Sequence, residues 1–147
     1  MSMLNLSTSY FAIDNPLRWL DRWIHRYQHH QTVRVNQRDV DVCWTGRAEA
    51  ALQSSQQPLI VELQLYFSCV VKKRVLFHRQ VEFDTATVNH KLKLAFRPIA
   101  SAVCDPREFA LNHPMGKDLS RGVAGRMVPA RVEIDHRQGE WEGQFHY

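Results

Sequence analysis

The first stretch that could do chemistry is a run of three cations, Lys72, Lys73 and Arg74, a few residues after Tyr66 and Phe67. Cations mixed with aromatic rings are typical of surfaces for single-stranded nucleic acid, because rings stack on bases and cations pair with phosphates. Such a run is also common at a charged hairpin tip, where it discourages association between sheets. We expect a surface for an anionic molecule or an acidic protein, with nucleic acid as the less favoured alternative.

A second candidate is the segment Gly116–Arg126, which combines Lys117, Arg121 and Arg126 with three glycines. Glycines let backbone amides approach a phosphate, and the basic side chains add positive charge. The order of residues is not that of a Walker A loop, because no Gly-Lys-Ser/Thr sequence closes it. The segment is therefore predicted either to bind an anionic ligand or to be a mobile linker.

Two short pieces resemble a known family. The run Asp118-Leu-Ser-Arg-Gly122 is similar to the Asp-x-Ser segment of PilZ domains, and Arg34-Val-Asn-Gln-Arg38 resembles their Arg-x-x-x-Arg. The resemblance implies a small barrel that binds a cyclic dinucleotide. Val123 stands where the motif has its last glycine, and about 80 residues separate the two pieces, so the family's function is not carried over.

Arg79 is the one charge in an otherwise apolar alternation, and we expect it on the core face opposite Phe67. A guanidinium there needs a carboxylate, a position at the rim, or an anionic ligand, because an unpaired buried charge is costly. An ion pair or an exposed strand end is the simpler interpretation. Arg79 is otherwise a candidate ligand anchor.

Gly46, Ala48 and Ala50 alternate with polar residues and are predicted to continue a strand that begins at Asp39. Small residues on the apolar face leave room, which the N-terminal helix or a small ligand could fill. The second option predicts a β-barrel or cup with Gly46 in its wall, reached past Arg79.

Catalytic and metal sites have little support in the sequence. His25 and His29 could present two nitrogens at i,i+4 spacing, but no third ligand accompanies them, so no metal is predicted. Cys104 or Ser120 could pair with His113 as nucleophile and base, yet no nucleophile elbow surrounds either residue. We assign no catalytic residue and no cofactor, and keep an enzyme with its site on the 99–126 loop as an alternative.

Asp14-Asn15-Pro16 predicts a helix over about residues 15–29, because a capping side chain precedes proline at the first helical position. Apolar residues form a stripe along it, and the opposite face carries the arginines at positions Arg18, Arg22 and Arg26. This helix is predicted to pack on the sheet through its apolar stripe. Its basic face is a further candidate interaction surface.

The stretch Leu59–Phe83 has apolar residues at alternate positions, as in a strand with one face on a core and one in water. It is too long for one strand and is predicted to fold back at Lys72–Arg74. The apolar residues have odd sequence numbers both before and after the point where the chain folds back. If these residues pair on one face of the hairpin, the loop between them must have an odd number of residues. A three-residue tip would pair Val71 with Val75; a single bent strand is the alternative.

The chain has 147 residues, 44% of them hydrophobic and 23% charged, which predicts a single globular domain. The predicted fold is mainly β (α+β): an antiparallel barrel or sandwich of about six to seven strands with the N-terminal helix on the sheet. Its parts would be helix 15–29, a β-rich region over 32–97, an irregular loop over 99–126 and a C-terminal hairpin over 128–147.

Charge and cysteine usage narrow the class of protein. The net charge is +4, and residues 32–99 carry ten basic against six acidic residues. Cys43, Cys69 and Cys104 are far apart and odd in number, which argues against a disulfide scaffold or a zinc ribbon. With no signal peptide and no apolar run long enough to cross a bilayer, a cytoplasmic location is expected. We predict a non-enzymatic binding module.

Overall fold

The computed structural model of the chain describes residues 27–67, 70–101 and 116–147. These residues form nine strands, one α-helix and one 3-10 turn: β1 His29–Val35, β2 Arg38–Trp44, α1 Gly46–Ser54, β3 Leu59–Phe67, β4 Val71–His78, β5 Ala86–Asn89, β6 Leu92–Ser101, β7 Gly116–Asp118, the 3-10 turn Val123–Arg126, β8 Arg131–Arg137 and β9 Glu140–His146.

The strands form two mixed sheets. The first has the order β1-β2-β8-β9, and the second has the order β4-β3-β6-β5 with β7 also paired to β6. Most neighbours are antiparallel, but β2 pairs with β8 and β3 pairs with β6 in parallel. The mainly β prediction is confirmed. The described strands do not close into a barrel, and two sheets around a shared core fit a sandwich-like α+β fold.

One hydrophobic core joins the two sheets. The first sheet supplies Val40, Val42, Val132, Ile134 and Phe145, and the second supplies Leu59, Val61, Leu63, Leu92 and Leu94. At one side of the molecule the edge strands β4 and β9 lie next to each other. Three contacts join them in order along both strands: Phe77 with Trp141, Val75 with Gly143, and Lys73 with Phe145.

Helix α1 replaces the predicted continuation of the second strand. Thr45 caps the helix, since its Oγ1 accepts a hydrogen bond from the Ala48 amide at 3.2 Å. Ala48 and Leu52 are buried and lie four residues apart on one helical face. The predicted small-residue strand is therefore wrong, and Gly46, Ala48 and Ala50 do not form the wall of a cup.

The hairpin predicted within Leu59–Phe83 is present, but its turn is misplaced. Phe67 pairs with Val71 and Leu63 pairs with Val75, so three residues separate the strands. The odd loop length is confirmed, whereas the turn at Lys72–Arg74 is wrong because those cations belong to β4. Arg79 follows the end of β4, exposed, where its guanidinium donates to Gln57 O at 3.0 Å. It does not oppose Phe67.

The N-terminal helix falls largely outside the described residues, as do Arg18, Arg22 and Arg26 on its predicted basic face. Its predicted C-terminal end is wrong, because His29 begins β1. Cys104 and His113 also lie outside the described part of the chain. Within the described ranges, no helix is long and apolar enough to cross a membrane.

Candidate functional site

The outer face of the second sheet holds a buried carboxylate with three side-chain partners. Glu62 on β3 is 2% exposed. Its carboxylate lies 2.7 Å from His78 Nε2 on β4, 3.2 Å from Arg97 NH1 on β6 and 2.5 Å from Gln64 Nε2. The parallel pairing of β3 with β6 brings Arg97 beside Gln64 and makes this network possible. Strand β3 is thus buried on both faces, and the prediction that one face meets water is wrong.

Arg97 extends this network to Asp118, the last residue of β7. Its guanidinium donates to Asp118 Oδ2 at 3.2 Å and lies 4.4 Å from the centre of the Phe83 ring. Asp118 also accepts hydrogen bonds from the Ser120 amide, at 2.8 Å, and from the Ser120 hydroxyl. Burial acts to raise the pKa of Asp118, but the bonds from Ser120 and Arg97 outweigh it and lower the pKa. The Asp118 carboxylate is therefore ionised, and it anchors residues 118–120 to Arg97 of β6.

The residues after Asp118 fold into consecutive tight turns. Gly122 N donates to Leu119 O at 3.0 Å, and Gly125 N donates to Gly122 O at 3.1 Å. A Cβ at Gly125 would lie 2.0 Å from Ser120 O, so only glycine allows this approach of the two backbones. These hydrogen bonds, with those from Ser120 to Asp118, give residues 118–125 a defined conformation.

The β1–β2 turn docks onto this segment. Asn36 and Gln37 form a two-residue turn, with φ of 48° and 67°. Asn36 Nδ2 donates to Gly125 O at 2.8 Å. The two pieces that resemble PilZ motifs, Arg34–Arg38 and Asp118–Gly122, are therefore close in space although about 80 residues apart in the sequence.

The turn and the segment together present four exposed arginines, which we name the arginine surface: Arg34, Arg38, Arg121 and Arg126. Arg34 lies 3.5 Å from Asp39, and both side chains are largely exposed. Within the described residues, the guanidinium groups of Arg38, Arg121 and Arg126 have no hydrogen bond or ion pair. Lys117 pairs with Ala100 in the β6–β7 ladder, which places its backbone at the start of the same segment.

A second group of cations lies on the edge strand β4. Lys73 occupies a core-side position opposite Leu65, and its ammonium donates to Phe145 O on β9 at 2.9 Å. Arg74 lies on the other face, opposite Gln64. A cleft of about 240 Å³ opens between residues 73–75 of β4 and residues 143–146 of β9. Phe67 packs at the margin of the core and lies at the end of β3, and it does not line this cleft.

Another buried ion pair has a structural role. Asp135 on β8 accepts hydrogen bonds from Thr45 Oγ1 at 2.6 Å, Arg47 Nε at 2.7 Å and Arg47 NH2 at 2.5 Å. Burial acts to raise its pKa, but the bonds from Arg47 and Thr45 outweigh it and lower the pKa to about 2. Since Thr45 and Arg47 flank the first residue of α1, this cluster fastens the helix to the first sheet.

The structure joins some predicted site residues and separates others. Arg121 and Arg126 lie together with the β1–β2 turn, whereas Arg79 and Gly46 lie elsewhere and share no site with them. The sequence pattern did not reveal Asn36 or the Glu62 network. Asn36, in the β1–β2 turn, is of a residue type common in tight turns, but its acceptor Gly125 O could not be read from the sequence.

Comparison of the chain with protein-family models, with curated proteins and with solved structures found no match.

Proposed function

We propose that the protein is a non-enzymatic binding module that recognises a phosphate-bearing anion at the arginine surface. The observation that carries this proposal is the hydrogen bond from Asn36 Nδ2 to Gly125 O, which holds two arginine-bearing segments together. Consecutive Cα atoms are about 3.8 Å apart, so Arg38 lies within about 8 Å of Asn36 and Arg126 within about 4 Å of Gly125.

The chemistry of the four side chains supports a phosphate rather than an uncharged ligand. Guanidinium groups offer paired donors that match two oxygens of a phosphate. The nearby carboxylates are already engaged: Asp39 with Arg34, and Asp118 with Arg97 and Ser120. The positive charge of Arg38, Arg121 and Arg126 therefore remains available to a ligand.

Isothermal titration calorimetry with inorganic pyrophosphate and with a cyclic dinucleotide tests the proposal. The second probe is included because the two pieces that resemble PilZ motifs meet at the Asn36 contact. We expect binding that weakens about threefold or more between low and physiological salt, since exposed charges are screened. Arg38→Ala should weaken it about tenfold, as the loss of a charge-assisted hydrogen bond predicts.

Lys93→Ala is the matched control, because it removes one positive charge from a side chain outside the arginine surface. Asn36→Ala should weaken binding while leaving all four arginines in place, since it removes the contact that joins the segments. Equal effects of Arg38→Ala and Lys93→Ala would contradict a localised site. Absence of heat with both probes at low salt would overturn the proposal.

A further inference from the structure

The row of contacts between β4 and β9 ends at an exposed edge of the molecule. The three contacts between these strands continue from Phe77 and Trp141 toward Lys73 and Phe145. The next residues in this row are Val71 and Tyr147, and each is 62% exposed. The 240 Å³ cleft lies at this end, beside the Lys73 ammonium. Val71 lies two residues from Lys73 on the same face of β4, so an exposed apolar side chain follows the cleft along this strand.

The volume of the cleft limits what can enter it. Pockets for whole organic ligands enclose about 300–1,000 Å³, so 240 Å³ suits one or two side chains better. Side chains that enter while their backbone stays outside belong to an extended peptide lying along the opening. The shape therefore favours a peptide segment over a free small molecule.

The charge of β4 selects the kind of peptide. Arg74 has no hydrogen-bonding partner or ion pair for its guanidinium among the described residues. Lys73 donates to a backbone carbonyl rather than to a carboxylate, so its charge is not neutralised. Lys73 lies at the cleft on the core side of β4, whereas Arg74 lies on the outer face of the same strand. Carboxylates are the complementary groups, because charge complementarity guides partner choice.

The backbone of β4 offers a way to hold such a segment. In the described part of the chain β4 pairs with β3 on one side only. The peptide groups on the free side of an edge strand can form a ladder with an added strand, while alternate side chains enter neighbouring pockets. We propose that an extended acidic segment of another protein adds as a strand to β4, with its carboxylates beside Arg74 on the outer face and its apolar side chains in the β4–β9 cleft. This proposal does not depend on the arginine surface.

Fluorescence anisotropy with a labelled short peptide of alternating glutamate and valine tests this inference. We expect saturable binding, because the glutamates on one face of the added strand reach Arg74 while the valines on its other face enter the cleft and contact Val71. Arg74→Glu should weaken binding about tenfold or more. Lys93→Glu is the matched control: it makes the same change of charge on the same sheet, two strands away, and should change affinity less than about twofold.

Two further peptides test how the segment binds. A peptide with proline at alternate positions keeps the charges but loses backbone donors, and it should bind about tenfold more weakly if a strand is added. A peptide of alternating lysine and valine should not bind. Circular dichroism of each protein variant verifies that the sheet content is retained.

Several outcomes would overturn the inference. They are equal weakening by Arg74→Glu and Lys93→Glu, equal affinity for the proline peptide, and absence of binding at about 1 mM peptide. Binding of a single-stranded oligonucleotide that Arg74→Glu abolishes, without peptide binding, would assign the cleft to nucleic acid instead. Self-association in analytical ultracentrifugation that Arg74→Glu abolishes, without peptide binding, would assign it to a second copy of the chain.

Discussion

The two sheets of the sandwich differ in their balance of charge. The strands of the first sheet contain four arginines against six acidic residues, whereas those of the second contain six basic residues against two acidic ones. In the first sheet the charges largely pair with each other: Arg131 lies 3.6 Å from Asp41, and His146 lies 2.6 Å from Glu133. The second sheet has too few carboxylates for this.

The consequence is a division of roles. The first sheet uses its Asp135 cluster to fasten α1, and most of its charges pair within the molecule, with Arg38 at the β1–β2 turn as an exception. The second sheet concentrates its polar contacts on Glu62, while Arg74 is left without a carboxylate. Surplus charge that the fold does not use is available to a partner. The difference teaches that binding is to be tested where cations lack a carboxylate, at Arg74 of the second sheet and at the arginine surface, and stability at the buried carboxylates Glu62 and Asp135.

The largest effect is expected from Glu62→Ala, because the buried Glu62 joins three strands of the second sheet. Removing its carboxylate leaves His78 and Arg97 without their shared partner. We expect the free energy of unfolding to fall by about 4 kcal/mol, as for one partner removed from a buried ion pair. Urea denaturation measures this value.

Lys93→Ala on the same sheet is the control for Glu62→Ala, and it should change the free energy by less than about 0.5 kcal/mol. A loss below about 1 kcal/mol for Glu62→Ala would contradict the central role given to this carboxylate. The contrast drawn between the two sheets would then be wrong, because the second sheet would hold no buried charge that is critical for stability.

Asp135→Asn should produce a smaller, pH-dependent loss in the first sheet. The folded-state pKa of about 2 lies below the unfolded value near 3.8, so the stabilisation is complete above about pH 4 and is lost as the pH falls toward 2. The shift corresponds to about 2 kcal/mol at neutral pH.

Urea denaturation of the Asp135→Asn variant and of the unchanged protein should therefore differ at pH 7 and converge near pH 2. A difference that stays constant over this range would mean that the ionised carboxylate is not the source of the stability. Thr45→Ser is a suitable companion variant, since it keeps the hydroxyl that donates to Asp135.

Gly143→Ala should have the smallest effect, at the place where the two sheets touch. A Cβ there would lie 2.9 Å from Val75 Cγ1 and 3.1 Å from Phe77 Cζ, so the neighbouring strand must shift. We expect a loss of about 1.5 kcal/mol from overpacking, measured by thermal unfolding. Adding Val75→Ala should recover part of it. If the two changes are additive, the strands do not press on each other at this point.

The β3–β4 hairpin marks what local sequence can and cannot predict. Alternation correctly indicated a hairpin with an odd loop, because the apolar positions on both strands must share one face. The turn was misplaced because three adjacent cations resemble a loop. Lys73 is tolerated in a strand at a core-side position because its ammonium reaches Phe145 O on the other sheet, and a contact of that kind is invisible in the local pattern.

The sequence did not predict helix α1, the Glu62 network or the Asn36 contact, and the reason is different. Ala48 and Leu52 satisfy both a period of two and the i,i+4 spacing of a helix, so alternation alone could not separate the two. Glu62 meets Arg97 only through a parallel pairing, and Asn36 meets Gly125 across 89 residues. Such contacts follow from how the strands are ordered in space, which local patterning does not encode.

The parallel pair β2–β8 also governs how the molecule folds. Asp41 pairs with Arg131, so about 90 residues separate partners in the middle of the first sheet. Bringing such distant segments together costs loop entropy before any native contact offsets the cost. We therefore expect slow folding, in about milliseconds to seconds. During synthesis the β1–β2 hairpin cannot complete its sheet until β8 and β9 have been made. Until then its apolar face is exposed to whatever chaperone or neighbouring chain it meets.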